Sequence, residues 1–453
     1  MSDMLSIGAS GVRAYQTALA TVGENIANVN TVGYTRRAVT LNEVQGGSGS
    51  TNGYGAGNGV YMAGVNRSSD VYSSTALRAS TSDLTRTTKG AEWLDRIQGA
   101  LTGNQLSSRV TSFFGSAQAL AAEPDSSALR TSMVGSASSA ALAFKATGQA
   151  FDQVDADLNT AGNQAAQTLT SLGSSLTKIN EGLSRSQPGG TAAAQLMDQR
   201  DTILSQMSEL VDIDAKFDSI GRASVKLGGP EGPAYVQGAM TGIVSFVRNA
   251  NGTADFSVIA RGVETRIAPN GGTIGGISDG ADRITAVRQS LNALADDFVG
   301  SVNDNQLAGA DKNGNPGTAM FVATGSSTAI TLVDGFDGSD IAAAKGASGT
   351  TPAGGPRDAS NLAQLESTRT TKRFEASLTT LITDNASAYK QKNTIADAQA
   401  AIRDGAASAL SASTGVNLDA EAVDLIRFQQ AYAASSRVIQ VARETMQSIL
   451  DIR

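Results

Sequence analysis

The sequence predicts a mainly α protein with one small inserted β-rich domain, on three observations. Both ends of the 453-residue chain carry long apolar rows spaced alternately three and four residues apart, the interior repeats that spacing, and residues 211–280 switch to a period of two. The expected architecture pairs the terminal helices (1–36 and 415–453) as a coiled coil. A connector with short strands (37–73) leads into an elongated, discontinuous helical bundle (74–210, 281–305 and 361–414). The β domain (211–280) and a loop-rich insertion (306–360) interrupt that bundle.

At the front, Leu5, Gly8, Val12, Tyr15, Leu19, Val22, Ile26 and Val29 form an a/d row. It stops where Asn28, Asn30 and Gly33 supply residues suited to a helix end. At the back, Leu418, Glu421, Leu425, Phe428, Tyr432, Ser435, Ile439, Ala442, Met446 and Ile449 keep the same spacing, after a turn at Thr414-Gly415. Asp419 and Glu421 near the start and Arg443 near the end suit the helix macrodipole. Each helix of about 30 residues spans roughly 45 Å. Val423, Ile426, Val438 and Leu450 cannot all face one partner. Each large aliphatic left in water forgoes roughly 1.5–3 kcal/mol of burial. The pair therefore invites self-association, through Leu5, Val12, Tyr15, Leu19, Val22, Ile26, Val29, Leu425, Phe428, Tyr432, Ile439, Met446 and Ile449. Periodicity alone fits an ordinary antiparallel pair inside a globular fold equally well.

Inside, Leu77, Leu84, Leu94, Ile97 and Leu101 predict a helix from about Ser74 to Gly103. A second, with Val110, Phe113, Phe114 and Leu120, stops before Pro124. From Phe144 to Leu183 the 3/4 spacing returns, and Pro188-Gly189-Gly190 ends it. A helix over 191–210 follows, carrying Asp198, Arg200 and Asp201. Alternation at Val211, Ile213, Ala215, Phe217 and at Ala223, Val225, Leu227 predicts strands, with more around 243–247, 256–259 and 263–267. Helices resume over 281–305 and 361–412; rods of this kind bury their stripes against each other.

Composition removes whole classes of function. Cys and His are both absent, so disulfides, thiolate nucleophiles, imidazole bases and His-ligated metals are excluded. A net charge of −7 opposes phosphate binding, which argues against nucleic acid. No apolar run approaches the length of a membrane span, and residues 1–7 lack a signal-peptide pattern. No catalytic, cofactor-binding or metal site is expected. Asp311-Lys312-Asn313-Gly314-Asn315 opens like a calcium loop, but Pro316 and Val322 stand where glycine and glutamate are needed, so a polar turn is expected. Gly53, Gly55, Gly57 and Gly59 lack phosphate-loop spacing and read as a connector. Asp198, Arg200 and Asp201 read as an ion-pair set.

The run Gly23-Glu24-Asn25-Ile26-Ala27-Asn28-Val29-Asn30-Thr31-Val32-Gly33-Tyr34-Thr35-Arg36-Arg37 resembles the N-terminal signature of flagellar axial proteins, the rod, hook and hook-associated subunits. Residues 427–440, from Arg427-Phe428-Gln429-Gln430 onward, with the ending Ile452-Arg453, look like the C-terminal counterpart. Between them, Gly57-Asn58-Gly59-Val60-Tyr61 with Gly64-Val65-Asn66-Arg67, then Leu196-Met197-Asp198-Gln199-Arg200-Asp201, then Asn303 with residues 309–317 and Phe321, are similar to the hook-associated protein 1 family. The stretch between Phe321 and Leu362 is short, so an outer domain of longer members is reduced or missing.

The resemblance implies a non-enzymatic, extracellular subunit of the layer between hook and filament, exported unfolded without a cleaved signal. It implies as partners other copies of the chain, the hook protein, an adjoining junction protein or flagellin, and a cytoplasmic export chaperone on the C-terminal helix. Terminal helices that are poorly ordered alone and gain order on assembly are expected. The alternatives are a hook or rod subunit, which the long internal helices over 74–210 oppose, and an adhesin carried on axial-type ends.

Overall fold

In the computed structural model the described residues are 2–44, 59–348, 351–352 and 354–451. Gly53, Gly55, Gly57, Asn58, Ile452 and Arg453 lie outside them. The chain begins with α1 (Ser2–Ala27), and a hairpin of β1 (Arg37–Glu43) and β2 (Val60–Arg67) follows, paired antiparallel from Arg37 opposite Arg67. Next come α2 (Val71–Thr102), α3 (Leu106–Ala122), α4 (Ser127–Arg185) and α5 (Thr191–Leu210). Asp70 caps α2 by accepting from the Ser73 amide, and Ser126 caps α4 by accepting from that of Leu129. At 59 residues, α4 is the spine of the bundle, roughly 90 Å long at 1.5 Å per residue. It starts well before Phe144. Its first turns are rich in Ala and Ser, which offer little apolar contrast although they favour close packing.

The β part holds two antiparallel sheets. One has the order β3 (Ile213–Phe217), β4 (Ala223–Leu227), β5 (Ala234–Gln237), β6 (Met240–Thr241); the other runs β7 (Ile243–Arg248), β8 (Ala254–Ala260), β9 (Val263–Arg266). Asn180 of α4 anchors it, receiving the Ala223 amide and donating to the Ala223 and Gly238 carbonyls, each at 2.9 Å. The β segment expected over 211–280 ends at Arg266, because α6 (Gly272–Ala308) starts nine residues ahead of the expected 281. Glycines hide that start and also explain it. A Cβ at Gly280 would lie 2.4 Å from the Trp93 ring, and one at Gly276 would lie 2.4 Å from Lys89 Cβ. Only bare backbone lets α6 approach α2 this closely.

Beyond α6, short hairpins of β10 (Phe321–Ala323) with β11 (Ile330–Leu332) and β12 (Ala347–Ser348) with β13 (Thr351–Pro352) occupy the loop-rich insertion. Then α7 (Ser360–Lys372), α8 (Phe374–Thr414) and α9 (Leu418–Leu450) complete the chain. Asp279 of α6 ties the discontinuous pieces together, accepting from Arg86 of α2 at 2.9 Å and Lys392 of α8 at 3.0 Å. Six buried phenylalanines from five elements form the bundle's aromatic centre: Phe113, Phe114, Phe144, Phe298, Phe321 and Phe374. Their ring centroids lie 5.1–6.1 Å apart in mostly edge-to-face pairs.

Candidate assembly interface

The terminal helices do pair, through a seam turned relative to the expected row. On α1 the buried residues are Gly8, Gly11, Ala14, Ala18, Thr21, Val22 and Asn25. Leu5, Val12, Tyr15, Leu19, Ile26 and Val29 are half-buried on the flank, Val29 lying past the helix end. Small residues hold the centre because the helices meet almost backbone to backbone. A Cβ on Gly8 would sit 2.7 Å from Ile439 Cγ1, and one on Gly11 would sit 2.6 Å from Ser435 Oγ. On α9, Leu425, Phe428 and Ile439 are half-buried, with Phe428 opposite Tyr15 at 6.4 Å between centroids. Tyr432, Met446 and Ile449 are exposed, and so are Val423, Ile426, Val441 and Leu450. Of the α9 residues, Glu421 and Ala442 are the buried ones. The pair leaves these aliphatic side chains in solvent.

At the inner end of the pair a polar joint fastens it to the bundle. Asn25 is wholly buried: its Nδ2 donates to the Arg37 carbonyl at 2.8 Å and to Glu421 at 2.9 Å. Its Oδ1 receives the Arg37 amide at 3.0 Å and the Tyr34 hydroxyl at 2.8 Å. Arg36 donates to Glu421 at 2.6 Å and to Asp424 at 3.1 Å. Arg37 reaches Glu24 at 3.3 Å and, across to α5, Asp198 at 2.9 Å. Asp198 also accepts from Thr35 and from Arg67 of β2, both at 2.6 Å. Arg67 continues to Asp201 at 2.5 Å, and Asp201 takes Arg200 at 2.7 Å. Arg200 lies over the Phe217 ring at 4.1 Å, linking the joint to the β sheet.

Burial holds the Arg78 and Arg200 guanidiniums below their usual value, with the Asp201 carboxylate working against it. Five guanidiniums (Arg36, Arg37, Arg67, Arg78, Arg200) face five carboxylates (Glu24, Asp198, Asp201, Glu421, Asp424), and at the exposed rim Arg427 adds a sixth guanidinium on Asp424.

The joint unites residues that the sequence offered as separate motifs. Asn25, Tyr34 and Arg36 are inside it. Asn28 braces the helix end, donating to the Glu24 carbonyl at 2.9 Å, while Asn30 is exposed. Gly33 adopts φ +81°, and a Cβ there would meet Thr202 Oγ1 at 2.8 Å. Sequence reasoning gave Glu421 no partner, gave Arg37 only its place at the end of the N-terminal signature, and passed over Gly11. A carboxylate in an otherwise apolar row was the available signal. The Asp311 turn is self-satisfied: Oδ1 accepts the amides of Asn313 at 2.8 Å and Asn315 at 2.7 Å.

Three family models match the chain. "Flagellar hook-associated protein FlgK helical domain" covers residues 91–321, "Flagella basal body rod protein" 5–35, and "Flagellar basal body rod FlgEFG protein C-terminal" 408–452. Flagellar hook-associated protein 1 of Salmonella typhimurium is 28% identical over 335 residues, 71% of this chain and 59% of that protein. The Bacillus subtilis protein of the same name is 24% identical over 97% of this chain and 96% of its own length. The chain thus matches well under two thirds of the Salmonella relative. Among solved structures, the flagellar hook junction protein FlgK from Burkholderia pseudomallei shares the fold. Its TM-score is 0.64 at 14% identity, over 74% of this chain and 99% of that one.

Proposed function

The chain belongs to the family of the flagellar hook-associated protein FlgK, and from that membership we propose that it is a structural subunit of the junction between hook and flagellin filament. It works by assembly, with no catalytic step. The observation that carries this reading is the terminal helix pair, whose outer aliphatics (Val423, Ile426, Val441 and Leu450 foremost) stay exposed while its inner end is bolted to the bundle. So many exposed aliphatics on one secreted helix pair call for neighbours. In this reading further copies of the chain cover them within the layer, through Leu5, Val12, Leu19, Ile26, Tyr432, Met446 and Ile449 among others. Hook protein lies on one side of the layer, and flagellin or a second junction protein on the other.

The outer turns of α9, with little burial of their own, gain their order on assembly, and a cytoplasmic chaperone shields them before export. The subunit works outside the cell. A hook or rod role is disfavoured by the long helices α2 to α5 between the end motifs. Electron microscopy of a strain lacking this chain tests the proposal. Hooks without filaments, and flagellin in the medium, are expected; filaments of normal length on every hook would refute it.

A further inference from the structure

Glu421 is an anomaly in α9. Its row neighbours are Leu418 and Leu425, yet the carboxylate is 0% exposed. Both oxygens are engaged, Oε1 by Arg36 Nε and Oε2 by Asn25 Nδ2. Those two donors come from the other end of the chain, and each has a second task. Asn25 fixes the Arg37 backbone through its amide and carbonyl. The Arg36 amide donates to the Thr414 carbonyl at 2.9 Å, and the Arg36 carbonyl receives the Ser68 amide at 2.8 Å. Arg37, held in this way, reaches Asp198 in the bundle, and Asp198 in turn holds Arg67. A continuous series of polar contacts therefore runs from the first turn of the last helix to α5.

We infer that Glu421 is a positioning residue that couples the seating of α9 to the orientation of the helical bundle on the terminal pair. The inference rests on the reading of that pair as the assembly element. A carboxylate cannot stay in this place without its donors, and if it leaves, the Arg36 guanidinium loses its buried partner and Asn25 one of its four hydrogen bonds. The joint accordingly has two arrangements, closed with Glu421 inserted and open with it solvated, and it is such a two-state element that can transmit a signal. When α9 is away, the link through Arg37 loosens and the bundle swings. When α9 seats, the bundle is held at one angle. The last helix to arrive thus sets the direction in which the rest of the subunit points, which a layer matching two different lattices needs.

The chain has no cysteine, so pairs of introduced cysteines can carry spin labels cleanly. The full-length monomer is labelled at Ala20→Cys with Gln206→Cys, which reports α1 against α5, and at Gln206→Cys with Gln429→Cys, which reports α9 against α5; all three positions are exposed. Pulsed EPR on the otherwise unchanged chain should give a narrow distance distribution for both pairs. In E421Q, which keeps the shape and loses the charge, both distributions should broaden together, by about two-fold or more. If neither broadens, or if the α9 pair broadens while Ala20–Gln206 stays narrow, Glu421 does not couple the two and the inference falls. Should E421Q fail to fold, R36K serves, since it keeps the charge but cannot reach Glu421 and Asp424 together; the same joint broadening is expected, and its absence overturns the inference. Because the distances are read within single dilute chains and not in the layer, failure of the junction role in cells leaves this result untouched.

Discussion

Asp198 serves three donors at once, Thr35, Arg37 and Arg67, and two of these are guanidiniums with side chains 4% and 9% exposed. Substituting Asp198→Asn keeps the shape and strips both of their shared counter-charge. Removing one member of a buried ion cluster costs roughly 3–5 kcal/mol, so the urea midpoint should fall clearly; an unchanged midpoint would mean that water already serves these groups. Tyr235 gives a second residue-scale expectation. Burial pushes its phenol up to about 12, the hydroxyl donating to the Leu169 carbonyl. The neutral form is thus favoured in the fold relative to an unfolded value near 10. Its contribution is intact below pH 10, shrinks as the pH climbs toward 12, and is worth roughly 3 kcal/mol at most. Stability curves of the parent and Y235F should therefore converge above pH 10; parallel curves from pH 9 to 12 would contradict the assignment. What the sequence made legible at this scale was chemistry without address. Asn25, Arg36, Asp198 and Asp201 all stood out, but Thr35 and Asp198 are 163 residues apart, and no local period records that they meet.

The helices themselves were readable wherever a row of large aliphatics contrasted with polar neighbours, as in α2, α3 and α9. They were unreadable where small residues did the packing, as in the first turns of α4 and of α6. The same cause turned the terminal seam. On α1 two rows fit the 3/4 spacing, one through Leu5, Val12, Leu19 and Ile26, the other through Gly11, Ala18 and Asn25, and the bulkier row attracts the eye. Close approach selects the smaller one. A Cβ at Gly8 would also come within 3.2 Å of the Ser435 carbonyl oxygen, a backbone atom that cannot swing aside. The double substitution Gly8→Ala with Gly11→Ala should therefore push α9 away from α1, at an overpacking cost of about 1–3 kcal/mol. Hydrogen exchange reads this directly: amides of α9 between Phe428 and Ile439, opposite Gly8 and Gly11, should exchange faster while those of α4 do not change. Equal protection in parent and variant would show that the seam is looser than its spacing suggests.

Taken as one body, the subunit separates two tasks that most proteins merge. The bundle buries a core of its own: its aromatic centre is sealed, and ion pairs such as Asp279 with Arg86 and Lys392 join its helices, although Leu142, Leu307 and Ile402 stay exposed. The terminal pair does not, because Ile426 is 55% exposed, Val441 51% and Val423 66% on a helix that buries little else. Substituting Ile426→Ser and Val441→Ser together removes no contact that the isolated subunit depends on, so its thermal midpoint should move little, within the ±0.5 kcal/mol or so usual for exposed sites. In the assembled layer each side chain would forfeit roughly 1.5–3 kcal/mol of burial per copy. Because every subunit repeats the loss, the layer should fail well before the monomer is affected. The expected result in a complemented strain is a secreted, folded chain, bare hooks and flagellin shed to the medium. If the doubly substituted chain restores filaments of full length, these two positions face solvent in the working structure and the neighbours must bind elsewhere on the pair.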